Sequence, residues 1–261
     1  MVSKLLICLL VLCLLCGCAA SPALPTQAPS VAPQWEPPES PVTPTDFVQV
    51  GDFLQCLSAP AAVGIDVSAH QQEIDWPTVA ASGVKYVFVR LGYRGYESGS
   101  LNEDSYARKN LERARDAGLQ VGAYFFSQAV TEAEAREEAE FALWILDGFS
   151  LDLPLVYDWE YVNETARTAQ VDRDTLTAMT LAFCRRIEQE NLLPMIYFNT
   201  SQGRDFLHLE QLQQYPWWLA KYDMAMPFLC EVALWQYTNT GTVPGITGNV
   251  DLNLMFADWV K

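Results

Sequence analysis

Residues 119–160 read LQVGAYFFSQAVTEAEAREEAEFALWILDGFSLDLPLVYDWE, and this stretch decides the fold. An apolar run at 119–126 is followed by a helical pattern at 131–147 and a second apolar run at 154–157. Apolar positions spaced three and four apart predict the helix, and Gly148 stands where a C-terminal cap belongs. A strand, a helix and a strand in succession are typical of a parallel sheet with helical crossovers.

The same alternation extends outward in both directions. Eight strands are predicted at 63–67, 86–91, 119–126, 154–157, 194–198, 217–221, 234–237 and 249–252. Helices are predicted at 76–82, 103–117, 131–147 and 172–190, with a short one at 208–214. Because the connections shorten after residue 198, we expect the later strands to join with little or no helix. The predicted fold class is α/β, an irregular TIM-like barrel in a single domain over residues 61–261.

The N-terminus carries features of an exported lipoprotein. Lys4 precedes an apolar run over residues 5–15, which is short for a membrane span but fits the core of a signal peptide. The run ends in Leu15-Cys16-Gly17-Cys18, which resembles the bacterial lipobox, where a small residue precedes the lipidated cysteine. We expect residues 1–18 to be a lipoprotein signal peptide with lipidation at Cys18. The alternative is an ordinary signal peptide cleaved near Ala20.

Residues 19–60 are rich in Pro, Ala, Ser and Thr. Pro-rich chains favour extended conformations and act as semi-rigid spacers, so this segment is predicted to be a disordered tether. Residues 47–57 are more apolar and are a candidate to pack on the domain edge. Together these features place the domain outside the cytoplasm, anchored by lipid to the bacterial membrane and facing the cell wall.

Composition excludes several classes of function. Half of the residues are hydrophobic, which is enough for a sizeable core, and the formal net charge is −16. Nucleic-acid binding relies on clustered Lys and Arg, so no nucleic-acid partner is expected. Cys56, Cys184 and Cys230 lack the spacing of a metal or redox site, and one pair could form a disulfide. We expect no cofactor and no metal.

Four carboxylates stand at predicted strand ends, where a parallel barrel gathers its functional groups: Asp66, Asp158, Glu160 and Asp251. Side chains alternate faces along a strand, so Asp158 and Glu160 should point the same way and Trp159 the opposite way. Mutual repulsion and desolvation should raise the pKa of one acid, which gives the acid and base that glycoside cleavage needs. An isolated Asp-x-Glu also occurs by chance on surfaces, but here a buried strand leads into it.

Seven short segments, in order, resemble glycoside hydrolase family 25 across residues 62–261. They are Gly64-Ile-Asp-Val-Ser, Ile74-Asp-Trp76, Phe88-Val-Arg-Leu-Gly-Tyr-Arg94, Val121-Gly-Ala-Tyr-Phe-Phe-Ser127, Tyr157-Asp-Trp-Glu160, Trp235-Gln-Tyr237 and Val250-Asp-Leu-Asn253. The resemblance implies a (β/α)5(β)3 barrel and lysozyme (N-acetylmuramidase) activity. That activity hydrolyses the β-1,4 bond between N-acetylmuramic acid and N-acetylglucosamine, so the expected partner is the glycan strand of peptidoglycan.

Roles follow from the resemblance by position. Glu160 matches the general acid, and Asp158 matches the carboxylate that assists the N-acetyl group or stabilises the oxocarbenium-like centre. Asp66 and Asp251 match two further acids that line the cleft. Additional candidates for contacting sugar are Tyr124, Trp218, Trp235 and Tyr237, although such aromatic residues also fill barrel cores.

Three other residues carry expectations about local structure. Arg90 could ion-pair with an inner acid such as Asp66, whereas Arg94 is expected to face solvent. Gln72 occupies a site where the family often has Gly, so the turn near Asp66 could differ.

Two other functions compete with this hypothesis. A chitinase-like N-acetylhexosaminidase would also use closely spaced acids, but its longer Asp-x-x-Asp-x-Asp-x-Glu pattern is absent before Glu160. A non-catalytic glycan-binding lipoprotein would have no use for a buried proton donor, and the four retained acids argue against it. We expect the chain to act as a monomer.

Overall fold

The computed structural model describes residues 35–222 and 230–256. The predicted signal peptide at 1–18, its lipidation site Cys18 and the tether up to residue 34 lie outside the described residues. In the described part of the chain, no helix has both the length and the apolar character needed to span a membrane.

Alternating short apolar runs and helices build a closed barrel, which confirms the predicted fold. The strands of the described residues are β1 (Phe47–Val50), β2 (Phe53–Cys56), β3 (Ala62–Val67), β4 (Tyr86–Arg94), β5 (Leu101–Glu103), β6 (Gln120–Ser127), β7 (Leu155–Trp159), β8 (Pro194–Asn199), β9 (Trp217–Ala220), β10 (Leu234–Gly241) and β11 (Val250–Met255). The barrel runs β3-β4-β6-β7-β8-β9-β10-β11, and β11 pairs with β3 to close it. All eight predicted strands are therefore present.

Among residues 35–222 and 230–256, α-helices cover the first part of the barrel. They are α1 (Trp76–Ala81), α2 (Ala107–Asp116), α3 (Glu132–Leu146) and α4 (Arg173–Glu188). The hydroxyl of Thr131 caps α3, and the helix ends at Asp147 and Gly148, both with positive φ. The short helix predicted at 208–214 is reduced to one turn, Leu209–Gln211. In the part of the chain that the structure describes, the later strands thus join with little helix, as predicted.

Strand direction brings Asp251 to the rim of the barrel where Asp66 lies. β3, β4, β6, β7, β8, β9 and β10 run parallel, whereas β11 is antiparallel to both of its neighbours. The start of β11 therefore lies beside the end of β3, and Asp251 pairs in register with Asp66. The sequence placed Asp251 near a strand end without revealing this reversal.

A close approach explains the glycine in Gly64-Ile-Asp. A Cβ at Gly64 would lie 2.1 Å from the ring of Tyr86, the residue paired with it on β4. Tyr86 belongs to the apolar barrel interior, which also contains Phe88, Val156, Met195, Trp218, Leu234 and Met255. Glycine at position 64 therefore allows a large aromatic ring to fill the barrel beneath Asp66.

An N-terminal hairpin packs against the outer face of β10. β1 and β2 pair antiparallel, and the ring of Phe47 lies 4.8 Å from that of Trp235 on β10. The amide of Leu54 donates a hydrogen bond to the hydroxyl of Tyr237. The chain from Glu36 onward forms one compact unit with the barrel, although the predicted tether extended to residue 60. Residues 47–57 do pack on the domain edge.

The three cysteines of the described residues are free thiols. Cys184 is completely buried in α4, and burial raises the pKa of its thiol far above the ordinary value. Burial also raises the pKa of Cys230 to about 12. Both thiols therefore stay protonated and act as small apolar core groups.

Candidate active site

The end of β7 brings two acids into one cleft. Asp158 lies inside the strand and Glu160 follows its last residue, Trp159. Asp158 and Glu160 both line a cleft of about 310 Å³ at the mouth of the barrel. Trp159 points the other way, is buried, and donates its indole N–H to the carbonyl of Ala129. The alternation of side chains along the strand thus produces the expected pair.

Asp66 is held in place by two amide side chains. Its Oδ2 accepts hydrogen bonds from Nε2 of Gln236 at 3.0 Å and from Nδ2 of Asn253 at 2.8 Å. The side chain is only 6% exposed, and burial raises its pKa to about 6 despite these two bonds. Asp66 therefore carries an anionic charge at neutral pH that the other acids of the cleft experience.

Asp251 lies at the same rim on β11. Burial raises its pKa to about 8, and the neighbouring charges of Asp66 and Glu160 add to the rise. Its carboxyl group lines the cleft together with those of Asp66, Asp158 and Glu160. Four carboxyl groups thus converge on one small volume, and ionising all of them there costs electrostatic free energy.

Protons are retained on the central pair. Burial, then the charge of Glu160, raises the pKa of Asp158 well above its ordinary value, while Arg90 opposes the rise. Burial and the charge of Asp66 raise the pKa of Glu160. Among the described residues, Oδ1 of Asp158 has no hydrogen-bond partner. Both carboxyl groups of the pair therefore hold their protons more tightly than exposed carboxyl groups do.

Aromatic side chains form the floor and one wall of the cleft. Trp218 is buried and donates its indole N–H to Oδ1 of Asn253, while the ring of Tyr124 meets it edge-on. The hydroxyls of Tyr197 and Tyr222 both donate to Oε1 of Gln236. Tyr222 is 48% exposed, so its ring is the part of this wall that a ligand reaches most easily.

Two of the predicted sugar contacts lie elsewhere. Trp235 is 1% exposed and packs outside the barrel against Phe47, and Tyr237 lies on the same outer face near Leu54. Between them, Gln236 points inward to Asp66. The prediction of a cleft position for Trp235 and Tyr237 is corrected, because β10 directs alternate residues to opposite faces.

Gln236, Asn253, Tyr197 and Tyr222 were not predicted as site residues. Gln236 could have been recognised from the sequence, because a polar side chain between two aromatic residues of a strand suits the acid-lined interior. For Asn253 the same rule applies, because it lies two residues after Asp251 and therefore on the same face of β11. Tyr197 resembled any core tyrosine, and nothing in the local sequence distinguished it.

The two arginines also differ from expectation. Arg90 lines the cleft, but its Nε pairs with Asp104 at 2.8 Å and not with Asp66. Arg94 is buried and not solvent-facing: its guanidinium binds Glu137 and Glu138 of α3. Burial raises the pKa of Glu138 to about 7 in spite of this ion pair. These pairs fix the end of β4 against its neighbours.

The turn after β3 adopts an unusual backbone conformation. Gln72 has φ of 53° and ψ of −129°, a region that favours glycine. Just before it, Ser68 caps the turn by accepting from the amide of His70, and Oδ2 of Asp104 accepts from the amide of Ala69. The family's frequent glycine is thus replaced by a residue that keeps a glycine-like φ.

In the described ranges, 35–222 and 230–256, no group of three or more His, Cys, Asp or Glu side chains could hold a metal ion.

Comparison with known proteins identifies relatives of the barrel. The sequence model of Glycosyl hydrolases family 25 matches residues 65–246. The chain is 30% identical over 197 residues to the uncharacterized protein YegX of Escherichia coli K12, covering 73% of this chain and 68% of that protein. It is 27% identical over 191 residues to the autolytic lysozyme of Clostridium acetobutylicum, covering 73% of this chain and 54% of the relative.

A solved structure agrees with these sequence relatives. The modular autolysin LytC of Streptococcus pneumoniae, in complex with a synthetic peptidoglycan ligand, superposes with a TM-score of 0.65 and 28% identity. The alignment covers 74% of this chain and 46% of LytC. The chain therefore spans about half the length of these two lysozyme and autolysin relatives.

Proposed function

This chain belongs to glycosyl hydrolases family 25, and from that premise we propose that it is a lysozyme, a peptidoglycan hydrolase that acts outside the cytoplasm. The bond cleaved is the β-1,4 linkage between N-acetylmuramic acid and N-acetylglucosamine. The observation that carries the proposal is the pairing of Asp158 and Glu160 in one cleft with raised pKa values. A site that must both give and take a proton near neutral pH needs this property.

Glu160 is the proton donor in the proposed mechanism. Its carboxyl group is partly buried, and its raised pKa keeps a proton available for the leaving glycosidic oxygen. Once that proton is transferred, the resulting carboxylate accepts a proton from the incoming water. The partial exposure of Glu160 matters because both the leaving oxygen and water must reach it.

Asp158 faces the reacting carbon. It lies deeper than Glu160, and its Oδ1 has no partner among the described residues, so one oxygen is free for the substrate. A carboxylate there stabilises positive charge at the anomeric centre or orients the N-acetyl group of the sugar. Burial and the charges of Glu160 and Asp66 raise the pKa of Asp158, and Arg90 offsets part of that rise.

The remaining lining residues hold the substrate. Asp66 and Asp251 present acceptors for sugar hydroxyl and amide groups, and Tyr124 and Trp218 form an apolar floor. LytC was solved with a synthetic peptidoglycan ligand, and this likeness supports the same substrate class here. The volume of about 310 Å³ lies at the small end for ligand sites and suits a short stretch of glycan.

The lipid anchor is a further part of the proposal. Gly17-Cys18 supports lipidation at Cys18, with residues 1–18 as the signal peptide and the Pro-rich segment after it as a tether to the catalytic barrel at 61–261. We expect Cys18→Ala to move the protein from the membrane fraction to the soluble fraction and to abolish labelling by a fatty-acid analogue. Cys16→Ala is the matched control and should leave both unchanged. A Cys18→Ala protein that still carries the label would refute the anchor.

The catalytic proposal is tested with purified peptidoglycan and a soluble chain of residues 35–261. We expect wild type to clear the walls and Glu160→Gln to fail. Borohydride reduction of the products should convert muramic acid, and not glucosamine, to its alcohol. Reduced glucosamine would instead identify an N-acetylhexosaminidase. Binding of walls without any new reducing end would identify a glycan-binding protein.

A further inference from the structure

The backbone that carries Glu160 lies beyond the regular sheet. On one side β7 pairs with β6 as far as Trp159, and on the other it pairs with β8 only as far as Asp158. The carbonyl groups of Trp159 and Glu160 therefore need other donors if this segment is to keep its strand geometry. Immediately after Glu160 the chain is exposed at Tyr161 and Val162, which gives the segment little packing of its own.

Gln128 supplies the donor on the β6 side. It directly follows β6 and is completely buried, and its Nε2 donates to the carbonyl of Glu160 at 2.7 Å and to that of Ser127 at 2.8 Å. One side-chain amide thus links the last residue of β6 to Glu160. This bridge begins where the backbone pairing of β6 and β7 ends.

Gln202 supplies the donor on the β8 side. It is 3% exposed, and its Nε2 donates to the carbonyl of Trp159 at 2.6 Å. Its Oε1 accepts from the amide of Asn199, the last residue of β8, and its own amide donates to the side chain of Asn199. Gln202 begins a π-helical turn over Gln202–Phe206, a conformation that is often found at functional sites.

Gln128 also holds the far end of the loop that starts at Glu160. Its Oε1 accepts from the hydroxyl of Thr168, and its carbonyl accepts from the guanidinium of Arg167 at 2.9 Å. Arg167 in turn forms a bidentate ion pair with Glu134 of α3. Both ends of the loop are therefore tied to one buried side chain.

We propose that Gln128 and Gln202 are positioning residues that extend the hydrogen-bond ladder past the end of β7 and hold Glu160 on the same side as Asp158. The inference rests on the proposed lysozyme function. Neutral amides suit this task, because they donate without adding a charge beside the four acids of the cleft. Without them, Glu160 could turn with its loop toward solvent and leave the site where its proton is needed.

The direct test uses Gln128→Met and Gln202→Met, which keep side-chain volume and remove the donor. We expect kcat on peptidoglycan to fall about 10²-fold with KM changed by less than about threefold, because misplacement of a reacting group affects the chemical step. Thr180→Val is the matched control: it removes one fully buried hydrogen bond, from Thr180 to Leu176 on α4, away from the cleft. The control should lose thermal stability and keep kcat.

A second readout does not depend on activity. In ¹³C NMR titration, the pKa of the Glu160 carboxyl should fall toward its ordinary value in both Met variants, because the side chain gains access to water away from Asp66. It should not move in Thr180→Val. If wild type fails to cleave walls, the lysozyme proposal fails, yet the titration still decides whether the two glutamines position Glu160.

A conservative variant separates donation of a hydrogen bond from packing. In Gln202→Glu the introduced carboxylic acid can donate to the Trp159 carbonyl only while it is protonated. We expect kcat of Gln202→Glu to approach that of wild type at low pH and to fall more steeply as pH rises. The inference is overturned if both Met variants keep kcat within about twofold of wild type, or if their Glu160 titration matches that of wild type.

Discussion

Asp66 and Asp251 lie directly opposite each other where β3 pairs with the antiparallel strand β11. Like charges at opposed positions of a sheet repel each other, and burial adds to the cost. Asp66 is compensated by the amides of Gln236 and Asn253, and it keeps the lower pKa of the two. Ionising both acids of this pair therefore costs stability.

Stability should fall as pH rises through the range where these acids titrate. The pKa of Asp251 rises from 3.8 to about 8 on folding, so between these values the folded chain binds more protons than the unfolded chain. The free energy of unfolding then decreases with increasing pH. We expect Asp251→Asn to raise the unfolding free energy by about 2 kcal/mol at pH ~8, less than the full shift because the acids are coupled.

Calorimetry across pH measures this effect. The gain corresponds to a rise in Tm of about 6 °C near pH 8 for a domain of this size, and it should disappear at pH ~3, below the ordinary pKa of 3.8, where wild-type Asp251 is protonated in both states. A variant whose Tm differs from that of wild type by the same amount at both pH values would contradict the assignment.

Substitutions at neighbouring positions of β10 should have unequal effects on activity, because the two side chains point to opposite faces. Gln236→Met removes a hydrogen bond to the charged Asp66 and should lower kcat/KM about 10-fold to 10²-fold. Tyr237→Phe, one position along the same strand, removes only the contact with Leu54 and should leave kcat/KM within about threefold. Steady-state kinetics on soluble peptidoglycan fragments measure both. A larger loss in Tyr237→Phe than in Gln236→Met would contradict the orientation of β10.

The N-terminal hairpin should be part of the folded domain. Phe47 is buried against Trp235, so Phe47→Ala should lower the free energy of unfolding by about 3 kcal/mol. Val48, the adjacent and more exposed residue, provides the control, because Val48→Ala should change it by less than about 0.5 kcal/mol. Denaturant titration followed by tryptophan fluorescence gives both values. Equal, small effects would mean that the hairpin is dispensable.

The protein should be more stable with glycine at position 72 than with the native glutamine. Because Gln72 has φ of 53°, Gln72→Gly should raise the free energy of unfolding by about 1 kcal/mol. Ala69→Gly in the same turn is the control, since Ala69 has no positive φ and the change should destabilise by about 0.5 kcal/mol. Thermal unfolding distinguishes them. Destabilisation by both substitutions would show that position 72 is unstrained.

The barrel could be predicted from the sequence because each of its strands is a short apolar run bounded by a helix or a turn. The common orientation of Asp158 and Glu160 could also be predicted, because residues two positions apart in a strand point to the same face. Both features are local. They need no knowledge of which strands become neighbours.

The residues that were missed depend on contacts between distant segments. Gln236 and Asn253 become site residues only when β10 and β11 close the barrel beside β3. Arg94 is buried because Glu137 and Glu138 of α3 meet it, more than forty positions away. Trp235, on the outer face of β10, is buried because the hairpin at 47–56, in a segment assigned to a tether, covers it.

The proposed role of Glu160 as the proton donor is tested most directly by leaving-group chemistry. An aryl glycoside with an acidic phenol leaves without protonation, whereas a sugar hydroxyl does not. We expect Glu160→Gln to lower the glycosidic cleavage rate about 10³-fold on peptidoglycan and less than about tenfold on an aryl glycoside of the same muramic-acid saccharide. Equal losses on the two substrates would show that Glu160 does not donate the proton.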